Sequence, residues 1–121
     1  MRRLRLLALP TLAIMLVAAT VCAPAAASIE VTEETTVVDV RTPAEYAGGH
    51  LDGAVNLDVS AADFATELAE LDPSAEYVVY CQSGNRSSRA VAQMEQAGFT
   101  SVEDAGGISS AAAATGLAVV D

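Results

Sequence analysis

The sequence predicts one α/β domain, built on a small parallel β-sheet flanked by helices on both faces. Short apolar runs rich in β-branched residues, such as residues 37–40 and 77–80, alternate with segments of helical periodicity. This order is typical of parallel strands joined by crossover helices. The run at 77–80 ends at Cys81, where a small polar loop leads into the next helix. The chain has 121 residues and no internal repeat, which suits a single domain.

The first 27 residues differ in composition from the others and are predicted to be a secretory signal peptide. Residues 1–5 are basic, residues 6–22 are almost wholly apolar, and the alanines at 25–27 before Ser28 fit a small-x-small cleavage site. We therefore expect an exported protein of the periplasm, the extracellular space or the cell envelope. The domain itself is expected to span residues 28–121.

Alternative interpretations of this segment stay open. An uncleaved anchor would need roughly 20 apolar residues, and residues 6–27 nearly reach that length, but Pro10 and the alanine-rich end favour cleavage. A lipoprotein would be acylated at Cys22, although Val21 is larger than the small residue that such signals prefer. Arg5 disfavours a twin-arginine route, because it stands where that signal carries a bulky apolar residue.

The charge of the predicted mature domain is strongly negative. All 16 acidic residues but only three of the six basic ones lie after residue 27, so this part carries a formal charge of −13. Such a surface excludes nucleic acid and anionic lipid as partners, and we expect a monomer without membrane contact after signal cleavage. Arg86 and Arg89 lie in or beside the Cys81 loop, where they would attract a small anion. Cys81 is the one cysteine after residue 27, so an internal disulfide is excluded there.

The domain begins with two predicted strands. Residues 28–31 alternate in polarity and are expected to form an edge strand, followed by a polar turn at 32–36. Residues 37–40 form a buried parallel strand that Asp39 interrupts. A buried carboxylate needs partners, so we expect Asp39 to accept hydrogen bonds from loop N–H groups or to pair with an arginine.

A short helix with a clear start follows the second strand. Thr42 is the predicted N-cap, Pro43 the first helical residue and Glu45 the third, and the glycines at 48–49 end the helix. His50 then opens a turn into another short strand. It could act as a general base, but a structural role is favoured because no second nucleophile or metal ligand is in view.

The second half of the domain centres on one strand between two helices. Ser60 and Asp63 are predicted to cap the first of these helices, which stops before Pro73. The central strand occupies residues 77–80, and the second helix is expected at residues 89–97.

The last third of the domain carries weaker signals. Residues 99–102 predict a short strand, residues 104–107 a flexible glycine-containing turn, and residues 109–115 a weak alanine-rich helix. Together with the preceding elements they complete the expected alternation of strands and helices.

Cys81 and the loop after it are predicted to be the functional site. A strand that ends at a cysteine places the thiol at the carboxyl edge of the sheet, facing the unpaired N–H groups of the next helix. These N–H groups and Arg86 favour an anion and should lower the pKa of Cys81. A buried inert thiol is the alternative, which the polar loop around Gly84 disfavours.

Four segments of the predicted domain carry specific motifs. They are Val-Val-Asp-Val-Arg-Thr-Pro-Ala-Glu-Tyr at 37–46, Gly-His-Leu-Asp-Gly-Ala-Val-Asn-Leu at 49–57, Tyr-Cys-Gln-Ser-Gly-Asn-Arg-Ser at 80–87 and Ala-Gly-Phe at 97–99. These segments resemble the single-domain rhodaneses, a family of sulfurtransferases. They occur in that family's order and cover nearly all of the predicted domain. The resemblance implies an α/β fold with a small parallel sheet.

The resemblance also implies roles for individual residues. Cys81 is the implied catalytic residue, which carries sulfane sulfur as a persulfide, and Asp39 and Arg41 match the family's structural pair. The loop that would cradle the sulfur and bind substrate comprises Gln82, Ser83, Gly84, Asn85, Arg86 and Ser87. The implied partners are a small anionic donor such as thiosulfate and a thiol or cyanide acceptor, with no cofactor and no metal.

Two departures from the family's pattern are visible. The family often has an aromatic residue, usually Trp, just after the Gly-Gly-Ile turn, whereas this chain has Ser109 and Ser110 and no tryptophan. This predicts a more open pocket wall and leaves room for a donor other than thiosulfate. The helix that often precedes the first Asp-containing strand is missing or reduced to residues 32–36.

Two rival functions remain. Cys-loop phosphatases and arsenate reductases place five residues between Cys and Arg, but only four, residues 82–85, intervene here. The shorter loop suits one sulfur atom better than a tetrahedral phosphate. The other rival is a non-enzymatic module that binds a partner or stores persulfide, since an intact Cys81 does not by itself show turnover.

Overall fold

The computed structural model describes residues 28–121, so the predicted signal peptide at residues 1–27 lies outside the described residues. In chain order the elements are β1 Thr35–Asp39, α1 Pro43–Ala47, β2 His50–Leu51, β3 Val55–Asn56, α2 Phe64–Ala69, β4 Glu76–Cys81, α3 Asn85–Gln96, β5 Ser101–Gly107, α4 Ile108–Thr115 and β6 Val119–Val120. Within this part of the chain, every helix is too short or too polar to cross a bilayer.

The central sheet is parallel, as the sequence predicts. Its strand order is β3-β1-β4-β5, with all neighbours parallel, and β4 lies between β1 and β5. A separate two-stranded antiparallel sheet joins β2 to β6 near the end of the chain. The carboxyl ends of β1 and β4 meet at one edge, and this edge carries the candidate site.

Both faces of the sheet are covered, which confirms the predicted α/β architecture. Val38 and Val79 point to the face covered by α2 and α3, while Val37 and Val78 point to the face covered by α4 and β2. All four side chains are nearly inaccessible to solvent. Burying a valine stabilises the fold by about 1.5–3 kcal/mol, which explains the β-branched, two-sided character of these strands.

The two predicted helix caps have different outcomes. The cap of α1 is confirmed: Thr42 accepts from Glu45 N at 3.3 Å, and Glu45 accepts from Thr42 N at 3.0 Å. The predicted capping pair of α2 is wrong. Asp63 is the N-cap residue without a side-chain cap bond, and the N–H of Ser60 is bound instead by Asp58 at 2.9 Å.

Residues 28–31 do not form the predicted edge strand. Ile29 instead donates its N–H to the Ala114 carbonyl at 2.9 Å, and the side chains of Ile29 and Val31 pack on the core beneath α4. A short alternating pattern shows that one side is buried, but it does not identify the neighbour that buries it.

The predicted flexible turn at 104–107 is also wrong, because these residues complete β5. The strand continues through a β-bulge: Val79 pairs with Asp104, but Tyr80 pairs with Gly106. Gly106 has φ +75°, a left-handed conformation that glycine adopts without steric cost. The bulge brings the end of β5 alongside Cys81, which pairs with Gly107.

The helix predicted at residues 89–97 begins four residues earlier, at Asn85. Gly84 is its N-cap residue, with φ +106°, and this conformation turns the chain from strand to helix within three residues of Cys81. The small polar residues at 83–88 are typical of a loop, so the sequence predicts a later helix start. The earlier start makes Arg86 and Ser87 part of the first helical turn.

Candidate active site

The site is organised around the thiol of Cys81, the last residue of the buried strand β4. The residue is 1% exposed, and its Sγ accepts a hydrogen bond from the N–H of Gly84 at 2.9 Å. The loop from Cys81 to α3 therefore curls around the sulfur atom and directs backbone N–H groups at it. Such a concave array of N–H groups at a helix start favours a negatively charged atom.

The pKa of Cys81 reflects two opposing effects. Burial raises the pKa of this thiol, but hydrogen bonds lower it by more, so the pKa lies below that of ordinary cysteine. The donors are the Ser87 hydroxyl and the backbone N–H groups of Ser87, Gly84 and Ser83. The fold thus stabilises the nucleophilic thiolate with neutral donors in contact with the sulfur.

Ser87 is fully buried against the sulfur. Its Oγ lies 3.4 Å from Cys81 Sγ and donates to the Gly84 carbonyl oxygen at 3.0 Å. The same carbonyl also accepts the N–H of Ser88 at 3.2 Å. The hydroxyl of Ser87 can therefore rotate to donate to a thiolate without leaving the Gly84 carbonyl unpaired.

Asp39 and Arg41 form a buried ion pair beside the cysteine loop. The carboxylate of Asp39 accepts from the N–H of Arg41 at 2.9 Å and from its Nη2 at 2.7 Å. Tyr80 donates its hydroxyl to the same carboxylate at 2.7 Å and accepts the N–H of Leu51 at 2.9 Å. Both alternatives expected for Asp39, a backbone N–H donor and an arginine partner, are thus realised together.

Arg41 connects this network to the cysteine loop. Its Nη1 donates to Gln82 Oε1 at 2.9 Å, and its Nη2 also donates to the Gly49 carbonyl at 2.6 Å. The hydrogen bond to Asp39 raises the pKa of Arg41 more than burial lowers it, so the guanidinium stays charged. The side chain of Gln82, predicted to bind substrate, is therefore turned toward Arg41 and holds the start of the loop.

Arg86 holds the other end of the loop through an unforeseen partner. Its Nη1 and Nη2 donate to the two carboxylate oxygens of Glu45 at 2.7 and 2.9 Å. This hydrogen bond, followed by that from the Thr42 N–H, lowers the pKa of Glu45 to about 2. The sequence predicts only a helix-capping role for Glu45, because Arg86 lies 41 positions away along the chain.

The close approach of Gly107 to the loop was also missed. A Cβ atom on Gly107 would lie 2.7 Å from the Gln82 carbonyl oxygen and 3.2 Å from the Ser83 Cα. Only a residue without a side chain fits here, so β5 supports the loop from below. The glycine pair at 106–107 is visible in the sequence, where it predicts a flexible turn and not a close approach to another segment.

The other candidate residues lie at the surface or apart from the sulfur. Ser83 in the loop and Asn85 at the start of α3 are exposed, and their role in substrate binding stays a prediction. The His50 ring stacks on the Tyr46 ring with 3.7 Å between centroids, and its Nδ1 lies 2.9 Å from the Tyr46 carbonyl oxygen. These contacts agree with the structural role that the sequence favours for His50. Among residues 28–121, no three side chains of His, Cys, Asp or Glu come together as metal ligands.

Comparison with known proteins places this geometry in a family. The family model of the rhodanese-like domain matches residues 25–114 of this chain. The chain is 34% identical over 71 residues to the thiosulfate sulfurtransferase PspE of Escherichia coli, a match that covers 59% of this chain and 68% of that protein. It is 36% identical over 89 residues to a sulfurtransferase of Allochromatium vinosum, with 74% and 81% covered.

Solved structures agree with the sequence comparison. A rhodanese from E. coli, solved with anions, superposes with a TM-score of 0.59 at 30% identity, covering 72% of this chain and 98% of that one. A rhodanese-related protein from Thermoplasma volcanium gives a TM-score of 0.62 at 32% identity, covering 78% and 97%. With its cysteine loop at the end of β4 and its sequence matched over most of the described residues, the chain belongs to the rhodanese-like domain family.

Proposed function

We propose that this protein is a sulfurtransferase in which Cys81 accepts sulfane sulfur from a donor and passes it to an acceptor. The observation that carries the proposal is the buried Cys81 thiol, which accepts the Gly84 N–H at 2.9 Å inside a loop closed by a helix start. The names of the relatives, thiosulfate sulfurtransferase and sulfurtransferase, support the same reaction.

The reaction divides into two half-reactions. In the first, the Cys81 thiolate attacks the outer sulfur of thiosulfate, a new S–S bond forms, the sulfur–sulfur bond of the donor breaks, and sulfite leaves with the electron pair. In the second, cyanide or a thiolate attacks the outer persulfide sulfur, and the Cys81 thiolate leaves. Charge balances in both steps, and the hydrogen bonds that stabilise the thiolate also serve the persulfide anion.

A small anionic donor suits this site. Cys81 is 1% exposed, which favours compact reagents such as thiosulfate and cyanide over bulky ones. The charge of Arg86 interacts with that of Cys81, and we assign Arg86 to the donor's anionic oxygens. Gln82, Ser83, Gly84, Asn85 and Ser87 would complete the substrate loop, chiefly through their backbone N–H groups.

Intact-mass measurement tests the proposal directly. Incubation with thiosulfate should add the mass of one sulfur atom to the purified protein, and cyanide should remove it as thiocyanate. Cys81→Ser should show neither change. Sulfur uptake by Cys81→Ser would contradict the mechanism, and uptake without thiocyanate release would favour a module that stores persulfide rather than an enzyme.

We further propose that residues 1–27 are a signal peptide removed on export, and that the mature protein is a monomer of the periplasm, the extracellular space or the cell envelope. The basic start, the apolar run and the alanines before Ser28 support this, and the family match begins at residue 25. N-terminal sequencing of the exported protein should begin near Ser28. A sequence that begins at Met1 would indicate an uncleaved anchor, and an acylated Cys22 would indicate a lipoprotein.

A further inference from the structure

The ion pair between Arg86 and Glu45 has a consequence for donor binding. Both oxygens of the Glu45 carboxylate are bonded to the Nη1–Nη2 edge of the Arg86 guanidinium, at 2.7 and 2.9 Å. This bidentate arrangement is the strongest form of an arginine–carboxylate contact. An anion that approaches Arg86 therefore meets a guanidinium whose charge is already compensated and whose paired donor edge is occupied.

Of the two other arginines in the described residues, Arg89 is exposed further along α3, and Arg41 cannot readily replace Arg86. Arg41 is buried and is committed to Asp39, Gln82 and the Gly49 carbonyl. The whole sequence contains no lysine. The strength with which the site attracts an anionic donor thus depends on how tightly Arg86 is held by its carboxylate partner.

The pair is accessible enough for competition. The Arg86 side chain is 25% exposed and that of Glu45 is 34% exposed, so neither charge is sealed in the core. Glu45 is also held in place from behind, because its Oε2 accepts the N–H and the hydroxyl of Thr42, both at 3.0 Å. Removing the charge of Glu45 would therefore release Arg86 without removing the helix cap, which glutamine can also provide.

We propose that Glu45 is a specificity-determining positioning residue, which competes with the donor's anionic oxygens for Arg86 and so limits the affinity of the site for dianions. This inference rests on the proposed sulfur transfer at Cys81. It goes further because it assigns a specific role to the carboxylate of Glu45. This carboxylate would set the preference of the site between dianionic donors, such as thiosulfate, and donors of lower charge. The same pair would hold Arg86 in place when a donor of low charge is used.

The test measures thiosulfate binding by titration calorimetry in a Cys81→Ser background, because this protein cannot take up sulfur. Adding Glu45→Gln should tighten thiosulfate binding by roughly tenfold, equivalent to one charge-assisted hydrogen bond at the weak end of its range. The gain should decrease as salt concentration rises, since the pair is partly exposed. Equal or weaker binding in the Glu45→Gln protein would overturn the proposal.

Two further variants separate competition from a general change in charge. Asp58→Asn removes another carboxylate whose field reaches Arg86, and asparagine can still accept the Ser60 N–H. It should leave thiosulfate affinity nearly unchanged, and a gain equal to that of Glu45→Gln would contradict direct competition. In an Arg86→Ala background, Glu45→Gln should produce no gain, and a gain retained there would also contradict it.

Steady-state kinetics with Cys81 intact provide a second readout. The effect of Glu45→Gln should fall on KM for thiosulfate rather than on kcat, and it should be smaller with methanethiosulfonate, a monoanionic donor. A loss of kcat with unchanged KM would show a merely structural role for Glu45. If thiosulfate binds more tightly but no variant is ever loaded with sulfur, the proposed function fails while the competition for Arg86 stands.

Discussion

The contact between Ser87 and Cys81 leads to a prediction about the ionisation of the thiol. In the thiol form, the Ser87 hydroxyl donates to the Gly84 carbonyl and accepts from Sγ at 3.4 Å. When Cys81 ionises, the hydroxyl can rotate and donate to the thiolate, since the Ser88 N–H still satisfies that carbonyl. Ser87→Ala removes this donor, and we expect it to raise the pKa of Cys81.

The size of the effect follows from the hydrogen bond that is lost. A hydrogen bond to a charged group contributes about 1.5–3 kcal/mol, and the long 3.4 Å distance places this one at the lower end. A loss of about 1.5 kcal/mol corresponds to a roughly tenfold lower ratio of thiolate to thiol at any given pH. The fold should persist, because the substitution removes one oxygen atom and leaves the backbone bonds of the loop in place.

The assay is a pH titration of the thiolate by its ultraviolet absorbance, with Cys81→Ser subtracted to remove the tyrosine signal. The same proteins are then loaded with thiosulfate across the pH range. Because the pKa is raised in Ser87→Ala, loading should be slower near neutral pH and should approach that of wild type as pH rises through the new pKa. Ser88→Ala, an exposed neighbour, is the matched control.

Superimposable titrations of wild type and Ser87→Ala would refute the reasoning. That result would mean that the backbone N–H groups alone stabilise the thiolate. A lower loading rate at every pH, without a shift of the titration, would instead indicate that Ser87 only shapes the loop.

Two other substitutions test how the loop is supported. Gly107→Ala should displace the loop, because its Cβ would lie 2.7 Å from the Gln82 carbonyl oxygen. We expect chemical denaturation to show about 1–3 kcal/mol of destabilisation, and we expect slower sulfur loading. Gly48→Ala is the matched control and should preserve loading, because its Cβ would make only ordinary contacts at 3.6 Å. Tyr80→Phe should cost about 1–3 kcal/mol of unfolding free energy, because it leaves a buried carboxylate and a buried N–H without their shared hydroxyl. Unchanged stability would contradict this role of the hydroxyl.

Local patterns were sufficient to predict much of the fold and the centre of the site. The apolar runs at 37–40 and 77–80 predicted two buried strands of a parallel sheet, and the cysteine at a strand end predicted an N–H-lined anion site. Thr42 and Glu45 predicted the cap of α1, because a capping pair is separated by one helical turn. These features depend on residues close in sequence, whose geometry is dictated by strand pleat or helix pitch.

The remaining features depend on which distant segments become neighbours. Glu45 meets Arg86 because β1 and β4 are adjacent and their carboxyl ends place α1 beside the start of α3. Gly107 supports the cysteine loop because a bulge in β5 shifts its register against β4. The sequence by itself therefore determined the α/β scaffold and the place of Cys81 at the end of a buried strand, because both follow from local periodicity. Only the tertiary structure decided which charges surround that cysteine, because long-range pairing follows from sheet order and register.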